Sequence, residues 1–387
     1  MAVNTWDGAT DTDWDTAGNW NTTGVTDRVP TSADDVIIPD TSSLNNPTLG
    51  ATANVKSLTI AANGTVVGGG QTIIIHDEGD GSGGTDQYAA HIQGIISGEL
   101  SLDQRTQETG YLRLSPSSGN IHDLTINHAD CVATLGNFGD VTLTGDLTIT
   151  AGELTTSGND VNLTVAGATL IGGPAYDTAN DADKATLTCN ASTVNLGAAY
   201  TSGYALTVFR GGTFDGGSGT HTTGAIRCST DDNAKAKFDL TSGTHVIGVE
   251  YTSDDRFFEL TTGTVTHSNG TILLNAAVTS AIQWTATTGD NGPYNLTLSH
   301  ASNTTKPRSA LTVLNNLTIT AGTFNTQYDG SDKNLTVNGD VSVTGTLTGN
   351  ASAISMKSLT IAGTYSATSG TTTITGEGDG SGGTAGY

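Results

Sequence analysis

The feature that most restricts the fold of this chain is an internal duplication. Residues 122–170 return at 294–343. Leu124-Thr125-Ile126 matches Leu296-Thr297-Leu298, Leu147-Thr148-Ile149-Thr150-Ala151-Gly152 matches Leu317-Thr318-Ile319-Thr320-Ala321-Gly322, and Leu163-Thr164-Val165 matches Leu335-Thr336-Val337. A second pair joins Lys56-Ser57-Leu58-Thr59-Ile60 and the Gly-rich run 79–85 to Lys357-Ser358-Leu359-Thr360-Ile361 and the run 378–384. Self-similarity of this kind marks repeat architectures, in which one unit cannot bury its apolar face alone and does so by stacking on its neighbours. The length of 387 residues then says little about domain number.

Inside the duplicated blocks a smaller unit recurs: an apolar–Thr–apolar strand, a Gly-containing corner and another short strand. Leu147, Leu163, Leu240, Leu260, Leu317, Leu335 and Leu359 each begin or centre one, with several separations of about 16 to 20 residues, which predicts one solenoid coil per unit. Because side chains alternate along a strand, stacked coils place Leu, Ile and Val inside while the intervening Thr side chains form ladders outside. Corners such as Thr241-Ser242-Gly243-Thr244, Thr261-Thr262-Gly263-Thr264 and Ala321-Gly322-Thr323 supply the glycine that a sharp turn needs. Composition agrees: 51 glycines, 5% aromatic and 13% charged residues in a Thr-, Ser-, Asn- and Val-rich text favour short strands and tight turns over helix. The expected fold is therefore all-β, a right-handed parallel β-helix or β-solenoid with an aromatic N-terminal cap. An array of antiparallel β-sandwich units is the alternative, since strand patterns do not give pairing direction. Along the chain this predicts a Trp-rich cap over 1–50, a first solenoid segment with its Gly-rich loop over 51–120, a central repeat block over 121–290 and a duplicated block over 291–387.

The first forty residues differ from the rest. They hold three of the four tryptophans, in Trp6-Asp7-Gly8, Trp14 and Asn19-Trp20, followed by Pro30 and Asp34-Asp35-Val36-Ile37-Ile38-Pro39. This resembles the W-x-G, W, N-W, P, D-x-V-x-I opening of β-solenoid surface and virion proteins of bacteria and phages, including phage fibre and adhesin-like chains. The resemblance covers about a tenth of the chain and implies architecture more than activity. Physically, a solenoid needs its first coil covered, because an open end exposes apolar interior and unpaired strand edges. Trp6, Trp14 and Trp20 are the expected structural cap.

A formal charge of −24, from 38 acidic and 14 basic residues, repels a phosphate backbone and argues against nucleic acid as a partner. It also opposes adsorption to anionic lipid, and no run of about 18 apolar residues exists to span a bilayer. Met1-Ala2-Val3-Asn4-Thr5-Trp6 has neither a basic nor an apolar signal-peptide region, although the composition reads as extracellular. A virion component released by lysis satisfies both observations; a secreted or cell-surface protein is the alternative location. Cys131, Cys189 and Cys228 are far apart and odd in number, and are expected to behave as small buried hydrophobes.

Chemistry has few candidates. Asp231-Asp232 precedes the Leu240 unit and Asp254-Asp255-Arg256 precedes the Leu260 unit, so stacking could bring four carboxylates onto neighbouring rungs, where calcium would relieve their repulsion. Asp231, Asp232, Asp254 and Asp255 are thus the candidate calcium ligands, solvated turns being the plain alternative; no other cofactor is expected. Asp77-Glu78-Gly79-Asp80-Gly81 and Glu377-Gly378-Asp379-Gly380 do not complete an EF-hand. His128 and His300 occupy matching positions of the duplicated block and are expected at matching corners. Asn162-Leu163-Thr164 and Asn334-Leu335-Thr336 read as by-products of the repeat rather than glycan acceptors. No catalytic serine, phosphate-loop or zinc pattern is present. The expected function is a non-catalytic structural or host-attachment protein of a virion, a phage fibre or capsid decoration, probing a host-surface glycan and assembling with other virion subunits as a homo-oligomer. A bacterial cell-surface or matrix adhesin is the first alternative and a tailspike-like polysaccharide lyase or hydrolase the second. The similarity of residues 357–384 to 56–85 further predicts that coils follow Tyr387, or that the next subunit continues the stack.

Overall fold

The computed structural model describes residues 2–77, 88–106, 109–136, 139–156, 161–173, 184–200, 202–228, 236–249, 255–261, 263–285 and 288–376. They form two compact units, Met1–Val194 with Gly211–Thr213, and Asn195–Arg210 with Phe214–Tyr387. Each is a parallel β-helix without an α-helix among its described residues. In the first, Asp35–Ile38 stacks on Ser57–Ile60 and this on Tyr88–Ile92, while Leu100–Gln104, Leu124–Leu135 and Leu147–Thr155 follow one another on another face. In the second, Ile226–Cys228, Arg256–Leu260, Thr279–Trp284 and Thr304–Pro307 make one face, and His221–Thr223, Thr244–Ile247, Thr271–Leu274, Asn295–Leu298 and Leu317–Ile319 another. All of these rungs are parallel. Antiparallel pairing occurs where Val3–Trp6 meets Trp20–Thr22 and in the small hairpin of Gln327–Tyr328 with Ser331–Asp332.

The coil is longer than the sequence spacing predicts. Ser57 sits on Asp35, 22 residues earlier, and the amide of Ala168 reaches Asp146, also 22 residues earlier. The shorter spacing arises because one coil carries the apolar–Thr–apolar pattern on more than one face. Leu147 stacks on Leu124 and Thr169, whereas Leu163 stacks on Val141. The spacing from Leu147 to Leu163 is thus a step around the coil, not up the stack.

Matched segments of the duplication stack in the same way in each unit. Leu124-Thr125-Ile126 lies in register on Leu147-Thr148-Ile149, and Leu296-Thr297-Leu298 on Leu317-Thr318-Ile319. Val141-Thr142-Leu143 lies on Leu163-Thr164-Val165, and Leu311-Thr312-Val313 on Leu335-Thr336-Val337. In every case the Leu, Ile and Val side chains are buried, and the central Thr on the outer face is half-buried, or exposed at Thr142. A further conserved geometry within this one chain is the Ser–Asp bridge: Ser57 Oγ donates to Asp35 at 2.7 Å and Ser358 Oγ to Asp340 at 2.7 Å.

Interior polar groups are spent on holding successive coils together. Thr156 Oγ1 donates to the Cys189 carbonyl at 2.8 Å, Thr241 Oγ1 to the Gly219 carbonyl at 2.6 Å, and Asn303 Nδ2 to the Ala276 carbonyl at 3.0 Å. Acidic residues collect at corners for a different reason. The carboxylates of Asp7, Asp11, Asp13, Asp40 and Asp215 each accept the backbone N–H two residues on, making the local turn that a short polar side chain can close. At these five corners the negative charge serves turn chemistry.

Candidate functional surface

The three N-terminal tryptophans form one buried cluster on the first rung of the first unit. Trp6 and Trp14 each meet Trp20 edge-on, with ring centroids 5.0 and 4.7 Å apart. Trp6 Nε1 donates to the Asn45 carbonyl at 2.6 Å and Trp20 Nε1 to the Trp14 carbonyl at 2.8 Å, so each of these two rings buries its apolar body with its single donor satisfied. Buried Asn19 knits the loop beneath them: Oδ1 accepts the N–H groups of Thr10 and Asp11 at 2.9 Å, and Nδ2 donates to Asp11 and to the Asp13 carbonyl. These rings have no face left for a ligand, with Trp6, Trp14 and Trp20 between 0% and 2% exposed.

Of the expected calcium ligands, Asp231, Asp232 and Asp254 lie outside the described residues. Asp255 is exposed at a corner with φ +48°, and its carbonyl accepts the Ala281 N–H at 2.7 Å. Both Gly-rich runs, 79–85 and 378–384, also lie outside the described residues. Among the described residues no group of three or more His, Cys, Asp or Glu is arranged to hold a metal ion. Cys131, Cys189 and Cys228 are buried as thiols, and burial pushes Cys131 and Cys228 up to about 12, which removes their nucleophilic form at neutral pH.

His128 and His300 are corner residues. Nδ1 of His128 accepts the Asp130 N–H at 3.2 Å, and Nδ1 of His300 accepts the Ser302 N–H at 3.2 Å. His267 uses the same device on the Asn269 N–H at 2.9 Å, while its Nε2 lies 3.3 Å from Asp290. In all three the imidazole closes a turn.

The densest polar cluster stands on the outer face of the second unit. Arg227 and Glu259 are register partners on adjacent rungs, and Gln283 follows on the next. Glu259 accepts the Tyr204 hydroxyl at 2.7 Å, faces Arg227 Nε at 3.3 Å and pairs with Arg256 Nη1 at 2.5 Å. Burial alone would raise this carboxyl, but the Tyr204 hydroxyl and the Arg256 and Arg227 guanidiniums outweigh it and hold Glu259 below the usual carboxylate range. An acid kept ionised is a poor proton donor near neutrality; its role here is to splay two guanidiniums along the face. The Arg227 guanidinium also lies 5.6 Å from the Tyr204 ring centroid, and two rungs beyond Glu259 the Arg308 guanidinium lies 4.9 Å from that of Tyr328. Lys306 lies on the strand Thr304–Pro307, and Arg308 follows directly after that strand's end. Four of the chain's 14 basic residues thus share one outer face with two tyrosines and a glutamine.

The first unit carries a smaller cluster of the same chemistry. Arg113 is the register partner of His91, with Nη1 2.9 Å from His91 Nε2, and the Gln93 side-chain amide, turned so that its oxygen faces the guanidinium, accepts from Arg113 Nη2 at 2.8 Å. Burial and the Arg113 charge lower the His91 pKa, keeping the ring neutral so that Nε2 accepts. Tyr88 packs beside it, and Tyr111 is 44% exposed. Sequence reading passes over both clusters because most of their members lie a coil apart, His91 under Arg113 and Arg227 under Glu259 under Gln283, and coil length differs between the two units. Writing the chain in coils of 22 residues places Arg113 beside His91.

No family model, curated protein or solved structure matches this chain.

Proposed function

We propose that this protein is a non-catalytic β-solenoid of a virion, a fibre or capsid decoration, that touches a host-surface glycan through its outer sheet faces. What supports the reading is a division of labour that recurs along the described rungs. Apolar ladders fill the inside, interior hydroxyls and amides bridge one coil to the next, and corner carboxylates close turns, so nearly all side-chain chemistry serves a stiff scaffold. The exceptions are the Arg–Tyr–Gln clusters on the outer faces. Planar guanidiniums with several fixed donors, set against aromatic rings, match the hydroxyl- and carboxylate-bearing faces of sugars. Such a protein binds its target weakly at each site and gains strength from many copies, as virion components do.

The test is adsorption of labelled protein to host cells and to their isolated surface polysaccharide. The parent is expected to bind, and Arg227→Ala to bind about tenfold less tightly, the loss that follows from one charge-assisted contact worth about 1.5 kcal/mol. Equal binding by Arg227→Ala with intact circular dichroism would remove this face from the reading. Decoration of cell envelopes but never of particles would favour the bacterial adhesin.

A further inference from the structure

The strand Asp35–Ile38 forms the seam between the rung that bears Trp6 and the coil that follows. It lies parallel to Val3–Trp6 on one side, with Val3 beside Asp35, and to Ser57–Ile60 on the other, with Ser57 beside Asp35. Val36 and Ile38 are buried on Leu58 and Ile60, so the period of two turns Asp35 to the outer face. Asp35 is nonetheless buried. So is Lys56, which stands directly before Ser57 and whose backbone N–H donates to the Asp34 carbonyl at 2.9 Å.

These two side chains make an ill-formed ion pair. Lys56 Nζ lies 3.7 Å from Asp35 Oδ1, with the side chains 8% and 9% exposed. By contrast, Arg28–Asp34 and Arg105–Asp103 close to 2.6 Å and keep their guanidiniums 40% and 39% exposed. Among the described residues no other ion pair has both partners under a tenth exposed. Asp35 Oδ2 is also buried, with no hydrogen-bond partner among the described residues. Two desolvated charges that do not close to hydrogen-bond distance recover little of their desolvation cost, and a bare carboxylate oxygen adds to it.

The same geometry suits the one reaction that removes both charges. Ser57 Oγ donates to Asp35 Oδ1 at 2.7 Å, so one carboxyl oxygen is held and polarised while the other is unencumbered. We propose that Lys56 and Asp35 condense in the folded chain into an isopeptide bond between Nζ and Cγ. One proton passes from the ammonium to Oδ2, leaving an amine and a carboxylic acid. The Nζ lone pair then attacks Cγ, and the C–O π pair moves onto Oδ1, where the Ser57 hydroxyl stabilises the charge. On collapse the Cγ–Oδ2 bond breaks, and Oδ2 takes a second proton from Nζ and departs as water. No oxidant, reductant or co-reactant takes part. In water the separate ions would be favoured; here burial opposes them, and the fold supplies the proximity.

The bond spans one coil and ties the rung of Val36 to that of Leu58. Chain ends fray first, and a cross-link restricts the unfolded chain, so the tryptophan-bearing rung is held against peeling from the coil that follows. This inference is independent of the glycan reading.

Tryptic digestion and mass spectrometry of the full chain, unfolded after long incubation in its folded state, test it. The parent is expected to give a fragment of residues 29–105 that is uncut after Lys56 and one water lighter than its sequence, with fragmentation placing the link between Lys56 and Asp35. Lys56→Arg keeps the charge but has no amine to condense, and is expected to be cut into 29–56 and 57–105 at their full masses. Asp35→Ala is expected to be cut after Lys56 in the same way. The parent's own fragments decide the matter whether or not the variants fold. A parent cut after Lys56 holds a plain buried ion pair and overturns the inference, as does a water loss located at any other pair of residues.

Discussion

Replacing Gly322 by alanine is expected to cost about 3 kcal/mol of stability, a large share of what a domain has. Two effects add. Gly322 has φ +77°, a region that costs an L-residue roughly 1–2 kcal/mol. An added Cβ would also stand 2.6 Å from the His300 carbonyl oxygen and 2.7 Å from that of Asn303, so backbone on the coil below must move, at about 1–3 kcal/mol. Gly330 separates the two: it has φ +71° but nothing within 4 Å of an added Cβ. Gly330→Ala is therefore expected to show the conformational cost alone. Urea unfolding of both variants checks this, and equal losses would show that the coils are not packed as closely at this corner as described. Gly152, the counterpart of Gly322, has φ +86° and abuts the carbonyls of His128 and Cys131, so Gly152→Ala should repeat the larger effect.

Acid is expected to destabilise the second unit well above the range where carboxylates protonate. His221 and His245 are register partners buried inside it, 0% and 1% exposed, beside the stacked rings of Phe214 and Phe238. His221 Nε2 donates to the Gly216 carbonyl at 2.6 Å, and Thr223 Oγ1 is 3.0 Å from His245 Nε2; Nδ1 of each ring has no partner. Burial lowers the pKa of His221, and burial together with the neighbouring His221 places that of His245 well below its ordinary value of 6.5. The unfolded chain thus takes up protons as pH falls through 6.5 before the folded chain does. Their contribution to stability is complete above 6.5 and is lost as pH falls from there towards the lowered folded-state values, at up to about 1.4 kcal/mol per pH unit for each histidine. His245→Ile, which copies Ile272 on the next rung, should flatten the loss between pH 7 and 5 by the share of one histidine. Denaturant midpoints across that range decide it; parallel curves for parent and variant would contradict the neutral buried pair.

These two cases show how much of the molecule is legible in its sequence. The Leu-Thr-Ile segments announce stacked parallel strands because the period of two puts Leu147 and Ile149 inside and Thr148 outside whatever the neighbours are. The pairing of Gly152 with Gly322 and of His128 with His300 is visible as duplication, and each pair performs one task at one kind of corner. Coil length is not visible, because the same three-residue pattern serves several faces and nothing local tells Leu147 from Leu163. Nothing local marks His221 and His245 as interior residues; their burial follows from the parity of strands whose register depends on loop lengths elsewhere. The outer clusters fail for the same reason, since Arg227 meets Glu259 across a coil that sequence spacing mistakes for a neighbour. The candidate calcium ligands rest on adjacent acidic corners, of which Asp231, Asp232 and Asp254 lie outside the described residues; at described corners the carboxylates of Asp7, Asp11, Asp13, Asp40 and Asp215 close turns.

The central claim, a stiff solenoid carried on a virion, is tested most directly by gold-labelled antibody against this protein, viewed by electron microscopy on particles and cells from the organism that encodes it. Label on particles, at regular positions and retained after chelation of calcium, is the result expected from a scaffold held together by apolar ladders and coil-to-coil hydrogen bonds. Label confined to cell envelopes or the surrounding matrix, with bare particles, would contradict it.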